Sequence, residues 1–203
     1  MIEKENTKEK IEQIALELFS RYGYRAVSIR DICKELGFRE SSIYYHFANK
    51  QAIMDALLEK IESLIETMRN QFDTAFARAG EVSNEDICKV AVGVLNDYLL
   101  NPYVYKMIAT LTIERMSDQK AADTYQNLVF TFPLEQQEKV FGQMIERGYI
   151  KENQAEVLAQ EYYSIIYFSF QKNCMGMELT EERKEQARNE IERNMRDLYQ
   201  KMR

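Results

Sequence analysis

At 203 residues, 45% of them apolar, the chain is long enough for one or two small domains with a buried core, and its net charge of -6 excludes a protein that coats nucleic acid non-specifically. Only 7 glycines and 2 prolines interrupt it, which favours an all-α fold over the turn-rich punctuation of a β protein. The charged start MIEKENTKEK leads into no apolar run and no stretch reaches membrane-span length, so a cytoplasmic protein with no membrane partner is expected.

The three cysteines, Cys33, Cys88 and Cys174, are odd in number and far apart, which suggests buried reduced thiols and neither a disulfide framework nor a zinc site. Charge is unevenly spread. Residues 1–50 hold 9 basic and 8 acidic side chains, whereas the remainder is net -7, a hint of two regions with different partners.

In chain order, IEQIALELFSRY at 11–22 places Ile11, Ile14, Ala15, Leu18, Phe19 and Tyr22 on one helical face, and Gly23 ends that helix. Ser28 opens S-I-R-D, a capping-box pattern, ahead of a short helix burying Ile29, Ile32, Cys33 and Leu36 and stopped by Gly37. A further short helix fits ESSIYYHF, with Ile43 and Phe47 inward, so the pair reads as a helix-turn-helix. Asn49 caps a long fourth helix with Ile53, Leu57, Ile61, Leu64, Met68 and Phe72 in one stripe, long enough to bridge two domains.

After the polar stretch RAGEVSN, Ser83 and Asp86 repeat the capping pattern, and Asn101-Pro102 breaks and restarts the chain. Pro133 interrupts a helical pattern over 119–147 and should kink or divide it, with Gly148 as its stop. Asn153 and Glu156 cap a helix whose segment 157–170 is apolar nearly all round and so needs burial on two sides. The last helix, from Thr180, keeps Ile191, Met195, Leu198 and Met202 at four- and three-residue spacing, a seam that suits a partner helix. A homodimer through these final two helices is expected, with Leu158, Tyr162, Ile166, Ile191, Met195, Leu198 and Met202 at its interface.

The residues RYGY, AVSIRDICKELGF and SSIYYHFANK, followed by Ile53, resemble the TetR-type transcriptional regulators over residues 7–53. Beyond residue 60 the likeness is only architectural. The resemblance implies a helix-turn-helix DNA-binding domain over 1–50, joined by the long helix to a helical effector-binding and dimerisation domain over 51–203. It implies Tyr44, His46 and Lys50 chiefly on the DNA backbone, and Arg39, Glu40, Ser42 and Tyr45 on base or groove edges.

The chemistry supports this separately, because Ser41, Ser42, Tyr44, Tyr45 and His46 are all hydrogen-bonding groups beside an inner face already supplied by Ile43 and Phe47. Ser28 and Arg30 at one helix start, and Lys50 at another, suit phosphates. Each assignment has a rival: Tyr44 as a cover for the core, His46 bonded locally, Arg39, Glu40 and Lys50 as solvated surface. Two departures from the family pattern also stand out, Arg39 where serine or threonine commonly caps the recognition helix and Ser41 where a glycine or another small residue is common.

Residues 80–178 are rich in tyrosine, phenylalanine and methionine, which hints at a cavity with polar handles as well as an ordinary core. Tyr98, Tyr103, Met107, Tyr125, Phe141, Tyr163, Tyr167 and Phe170 are its candidate lining, for an unidentified, partly apolar or aromatic effector. The implied function is a repressor that binds a palindromic operator in double-stranded DNA as a homodimer and is released by a small molecule; a helical protein-interaction module without DNA binding is the competing reading. Catalysis is disfavoured, since His46 is the lone histidine and neither a Gly-rich phosphate loop nor metal-ligand spacing appears, so neither cofactor nor metal is expected.

Overall fold

The computed structural model of the chain describes residues 2–76, 83–151, 154–176 and 178–202, and among them it is helical without strands. It divides into two compact units, Met1–Glu66 with Tyr103–Gln126, and Thr67–Pro102 with Asn127–Arg203. Packing therefore divides the chain differently from a simple cut at residue 50, because a later pair of helices joins the N-terminal unit.

In the first unit, α1 (Ile2–Tyr22) buries Ile11, Ala15, Leu16 and Phe19, while Tyr22, expected on the same face, is exposed. The α2 helix (Ile29–Leu36) starts at the anticipated capping box: the Ser28 hydroxyl accepts from the Asp31 N–H at 3.3 Å, and the Asp31 carboxylate accepts from the Ser28 N–H at 2.7 Å. Gly37 closes α2 in the left-handed region, φ 67°. Then α3 (Glu40–Tyr44) runs only five residues, shorter than ESSIYYHF, and continues as turns through Phe47.

The Asn49 Oδ1 caps α4 (Lys50–Phe76) by accepting the Ala52 N–H at 2.9 Å; at about 1.5 Å per residue the helix runs roughly 40 Å. Its stripe is Ile53, Leu57, Ile61 and Ile65, with Leu64 half-buried; the Phe72 side chain, and residues 78–82 of RAGEVSN, lie outside the described residues. Also in this unit are α6 (Pro102–Glu114) and α7 (Gln119–Gln126). The first of them closes under the turn after α1. Glu114, 5% exposed, accepts the Tyr24 N–H at 3.0 Å, and Lys106 pairs with Glu17.

The second unit begins with α5 (Asn84–Gly93), opened by a second capping box at Ser83 and Asp86, and runs into a π-helical turn, Val94–Leu99. Another π turn, Asn127–Thr131, leads directly into α8 (Phe132–Glu146), so the winding widens just ahead of Pro133, whose ring and missing N–H a regular α-helical turn would not accommodate. Wide-turn backbone at 127–131 is held from two helices, the Tyr98 phenol donating to the Leu128 carbonyl at 2.5 Å and the Tyr163 phenol to the Val129 carbonyl at 2.8 Å. Gly148 stops α8 at φ 71°.

Next come α9 (Ala155–Asn173) and α10 (Glu181–Met202); α9 packs against α8 and α10, and α10 returns along α5. Asn153, expected as the α9 cap, lies outside the described residues, and Gln154 stands at the N-cap without a side-chain bond. Glu190 of α10 joins the two helices by accepting from Ser169, Asn173 and Lys172 at 2.9–3.0 Å.

The dimer-interface expectation needs correction at the level of residues. Leu158, Tyr162, Ile166, Ile191, Met195, Leu198 and Met202 are all buried within the single chain, because α9 and α10 spend their apolar seam on each other, α5 and α8. Facing outward from α9 instead are Val157 and Phe168, the latter 62% exposed.

Gly23 has φ 82°, and a Cβ built there would meet Ile113 Cγ2 at 3.1 Å and Glu114 Oε1 at 3.3 Å. Gly23→Ala should therefore lower stability by about 1–2 kcal/mol, whereas Gly142→Ala, helical with nothing near its added methyl, should be neutral or raise it by about 0.5–1 kcal/mol. Urea unfolding midpoints of the two variants check the contrast.

Candidate nucleic-acid interface

Between α2 and α3 the chain presents a surface whose inner side is closed by Ile32, Cys33, Ile43 and Phe47, all buried. That closure turns the other α3 side chains outward by helical geometry. Arg39, Ser41 and Ser42 are exposed, Tyr44 and Tyr45 are 50% and 67% exposed, and His46 is half-buried with its ring edge-on to Tyr45 at 5.1 Å. Two phenols of that size open to solvent exceed what core covering requires of them.

Arg30 and Glu40 are brought together, Nε to Oε1 at 3.0 Å, across the helix-turn-helix. The guanidinium is 83% exposed, so this pair contributes little to stability and serves to fix where the arginine points. Arg39 occupies the N-cap of α3 without a side-chain cap bond, as its departure from the family pattern suggests.

Lys50 behaves differently from its expected phosphate role. Its ammonium donates to the Tyr24 carbonyl at 2.7 Å and the Val27 carbonyl at 2.6 Å, and lies 4.2 Å from the Tyr24 ring centroid. Burial pulls its pKa below the ordinary lysine value, with Glu114 and Asp31 pulling the other way. Two of its three donors thus tie the α1–α2 loop to the start of α4.

Elsewhere, in the second unit, a cavity of about 300 Å³ is lined by Met68, Val90, Gly93, Val94, Asp97, Tyr98, Phe132, Pro133, Gln136 and Gln137. Of the eight candidate ligand residues only Tyr98 lines it. Phe141 and Phe170 are core; Tyr163 stacks on Tyr167 and binds Val129; Tyr103, Met107 and Tyr125 belong to the first unit, where Tyr103 donates to the Leu57 carbonyl at 2.8 Å and Arg115 covers Tyr125. The phenols of Tyr98, Tyr103 and Tyr163 are already committed to backbone carbonyls, and burial raises the pKa of the first two. The aromatic count does not single out Gln136 and Gln137; an amide pair on an otherwise apolar helical face was the available signal.

The family model described as bacterial regulatory proteins, tetR family, matches residues 13–57. Over 74 residues the chain is 31% identical to the HTH-type transcriptional regulator AcrR of Shigella flexneri, a match covering 36% of this chain and 34% of that one. Over 48 residues it is 40% identical to the negative transcriptional regulator IcaR of Staphylococcus aureus, covering 24% and 26%. These matches span about a third or less of the curated relatives' length. In fold, a TetR-family regulator from Mesorhizobium loti is similar along the whole chain, with a TM-score of 0.74 at 14% identity, covering 97% of this chain and 96% of that one.

The described architecture is that of a helix-turn-helix domain followed by a helical domain. Residues 13–57 thus match the tetR-family helix-turn-helix domain, and the fold is like that of a TetR-family regulator along nearly all of the chain. Among the described residues no helix is long and apolar enough to cross a membrane, and no cluster of His, Cys, Asp and Glu could hold a metal ion.

Hydrogen bonds from the Ser28 hydroxyl and backbone N–H hold the Asp31 carboxyl below its ordinary value of 3.8. A depressed carboxylate stabilises the fold above its ordinary pKa, and that contribution is lost as pH falls through the folded value. Asp31→Asn should therefore flatten this unit's acid sensitivity below pH ~4, read by unfolding midpoints against pH. Ser28→Ala should cost about 1 kcal/mol at neutral pH through the lost cap, in the same assay.

Proposed function

We propose that the chain is a sequence-specific, DNA-binding transcriptional regulator that acts in the cytoplasm as a homodimer on a palindromic operator, represses, and is released by a small molecule. The observation that carries this reading is the outward face of α3, where Arg39, Ser41, Ser42, Tyr44 and Tyr45 stand exposed on a helix anchored by Ile43. A helix of that width fits the major groove, and these are groups that reach base edges and phosphates.

In this reading Arg39, Glu40, Ser42 and Tyr45 address bases or groove edges. Ser28, Arg30, Ser41, Tyr44 and His46 hold the backbone. Lys50 serves chiefly by fixing the loop that presents Ser28 and Arg30, with one ammonium proton left for a phosphate. The near-neutral N-terminal region supplies little non-specific attraction, so affinity depends on holding two half-sites at once. The dimer is assigned to the outward side of α9, with Val157 and Phe168 as its apolar contacts. Repression is supported by IcaR, a negative regulator.

Release requires a ligand that prefers the DNA-incompetent conformation, with coupling on the order of 1–3 kcal/mol. The cavity in the second unit includes Met68, which belongs to the same continuous helix as Lys50. Occupancy there can bias a helix that starts at the DNA-binding loop.

Selection of bound duplexes from a random library should enrich an inverted repeat. On that duplex, Tyr45→Ala should weaken binding by about 10- to 100-fold without changing the melting temperature. An unselective pool from a folded protein, or undiminished affinity in Tyr45→Ala, would contradict the assignment. Phe168→Glu should yield a monomer in sedimentation velocity with a comparable loss of operator affinity; a dimer that persists would move the interface elsewhere.

A further inference from the structure

Arg30 lies in the first turn of α2 and Glu40 is the first residue of α3, so the ion pair they form spans the two helices of the helix-turn-helix. The pair is lopsided. Glu40 Oε1 takes the Nε–H at 3.0 Å, and among the described residues Arg30 has no other bond, which leaves both Nη groups at the outer end of the guanidinium. Those groups form a planar fork of donors. The side chain that carries them is 83% exposed, so the fork stands in solvent beside the start of α3.

This pairing makes Arg30 a poor phosphate clamp and a good base reader. A phosphate answers to net charge, and the Glu40 carboxylate offsets the charge of the guanidinium it holds. A base edge answers to donor geometry, and the free fork matches the O6 and N7 acceptors of guanine in the major groove. Placement agrees, since base contacts in a helix-turn-helix come from the N-terminal residues of its second helix, where Glu40 stands. Glu40 is itself ill suited to touch a base directly. One of its oxygens is spent on Arg30, and a carboxylate without that partner is repelled by the phosphates around the groove.

We infer that Arg30 reads a guanine at one base pair of each half-site, and that Glu40 is the positioning residue that aims its fork. This rests on the DNA-binding reading above and deepens it. Arg30 moves from the backbone to a base edge, and Glu40 addresses that base through Arg30.

Selection of bound duplexes with the full chain, repeated for Arg30→Ala, Glu40→Ala, Glu40→Gln and the double alanine variant, tests the pair. The wild type should prefer guanine about 10-fold or more at one position of the repeat, mirrored in its other half. Arg30→Ala and Glu40→Ala should both lose that preference and keep the rest of the repeat, and the double variant should match Arg30→Ala. Glu40→Gln, whose side-chain oxygen still accepts the Nε–H, should keep it. Glu40→Ala should also tighten binding to duplexes that lack the repeat, because the arginine's charge is released to phosphates. Both side chains are solvent-accessible, so the melting temperatures should not change.

If Arg30→Ala instead weakens every sequence alike and lowers the salt slope by about one, Arg30 is a phosphate contact and the inference fails. If Glu40→Ala relaxes a different position, or none, or Glu40→Gln switches the base preferred at another position, the carboxylate does not act through Arg30 and the inference fails. Those results leave sequence-specific DNA binding standing. A folded wild-type chain that enriches no repeat overturns both.

Discussion

The loop after α1 must be gripped on both its donors and its acceptors, and the first unit depends on that grip. Gly23 turns the chain with a positive φ, after which the Tyr24 N–H and the carbonyls of Tyr24 and Val27 point inward with no helix to receive them. Glu114 takes the donor and Lys50 takes both acceptors. Opposite charges meeting at Tyr24, one on its N–H and one on its carbonyl, satisfy the loop more strongly than neutral partners would, because hydrogen bonds to ionised groups are shorter and stronger. From that fixed point Ser28 opens α2, α2 sets α3, and α3 presents its tyrosines.

In the second unit the comparable constraint is backbone that winds too widely. π turns at Val94–Leu99 and Asn127–Thr131 displace side chains and carbonyls from regular α positions. At 127–131 the cost is met by Tyr98 and Tyr163, whose phenols reach carbonyls from other helices. At 94–99 Asp97 is among the residues that line a cavity. Tyrosines that looked like handles for a ligand thus staple the backbone.

Much of the fold was legible along the chain. Both capping boxes, the stops at Gly23, Gly37 and Gly148, and the restart at Pro102 follow from local chemistry, and each needs only its immediate neighbours. The outward face of α3 was legible for the same reason, since two buried residues spaced four apart fix where the rest point. The α9–α10 seam was legible as a seam but not as to its partner. Apolar spacing says that a helix face is buried and is silent on whether the covering helix comes from the same chain or another.

Sequence by itself determined most of the helices, the capped and glycine-stopped ends among their termini, and the exposed α3 surface, because those depend on interactions within about four residues. Tertiary structure alone decided that Lys50 spends its ammonium on the Tyr24 and Val27 carbonyls, 26 and 23 residues away, and that Glu114 reaches back 90 residues to the same loop. It likewise decided which aromatics are core. Those outcomes turn on which distant groups meet in space, and periodicity carries no information about that.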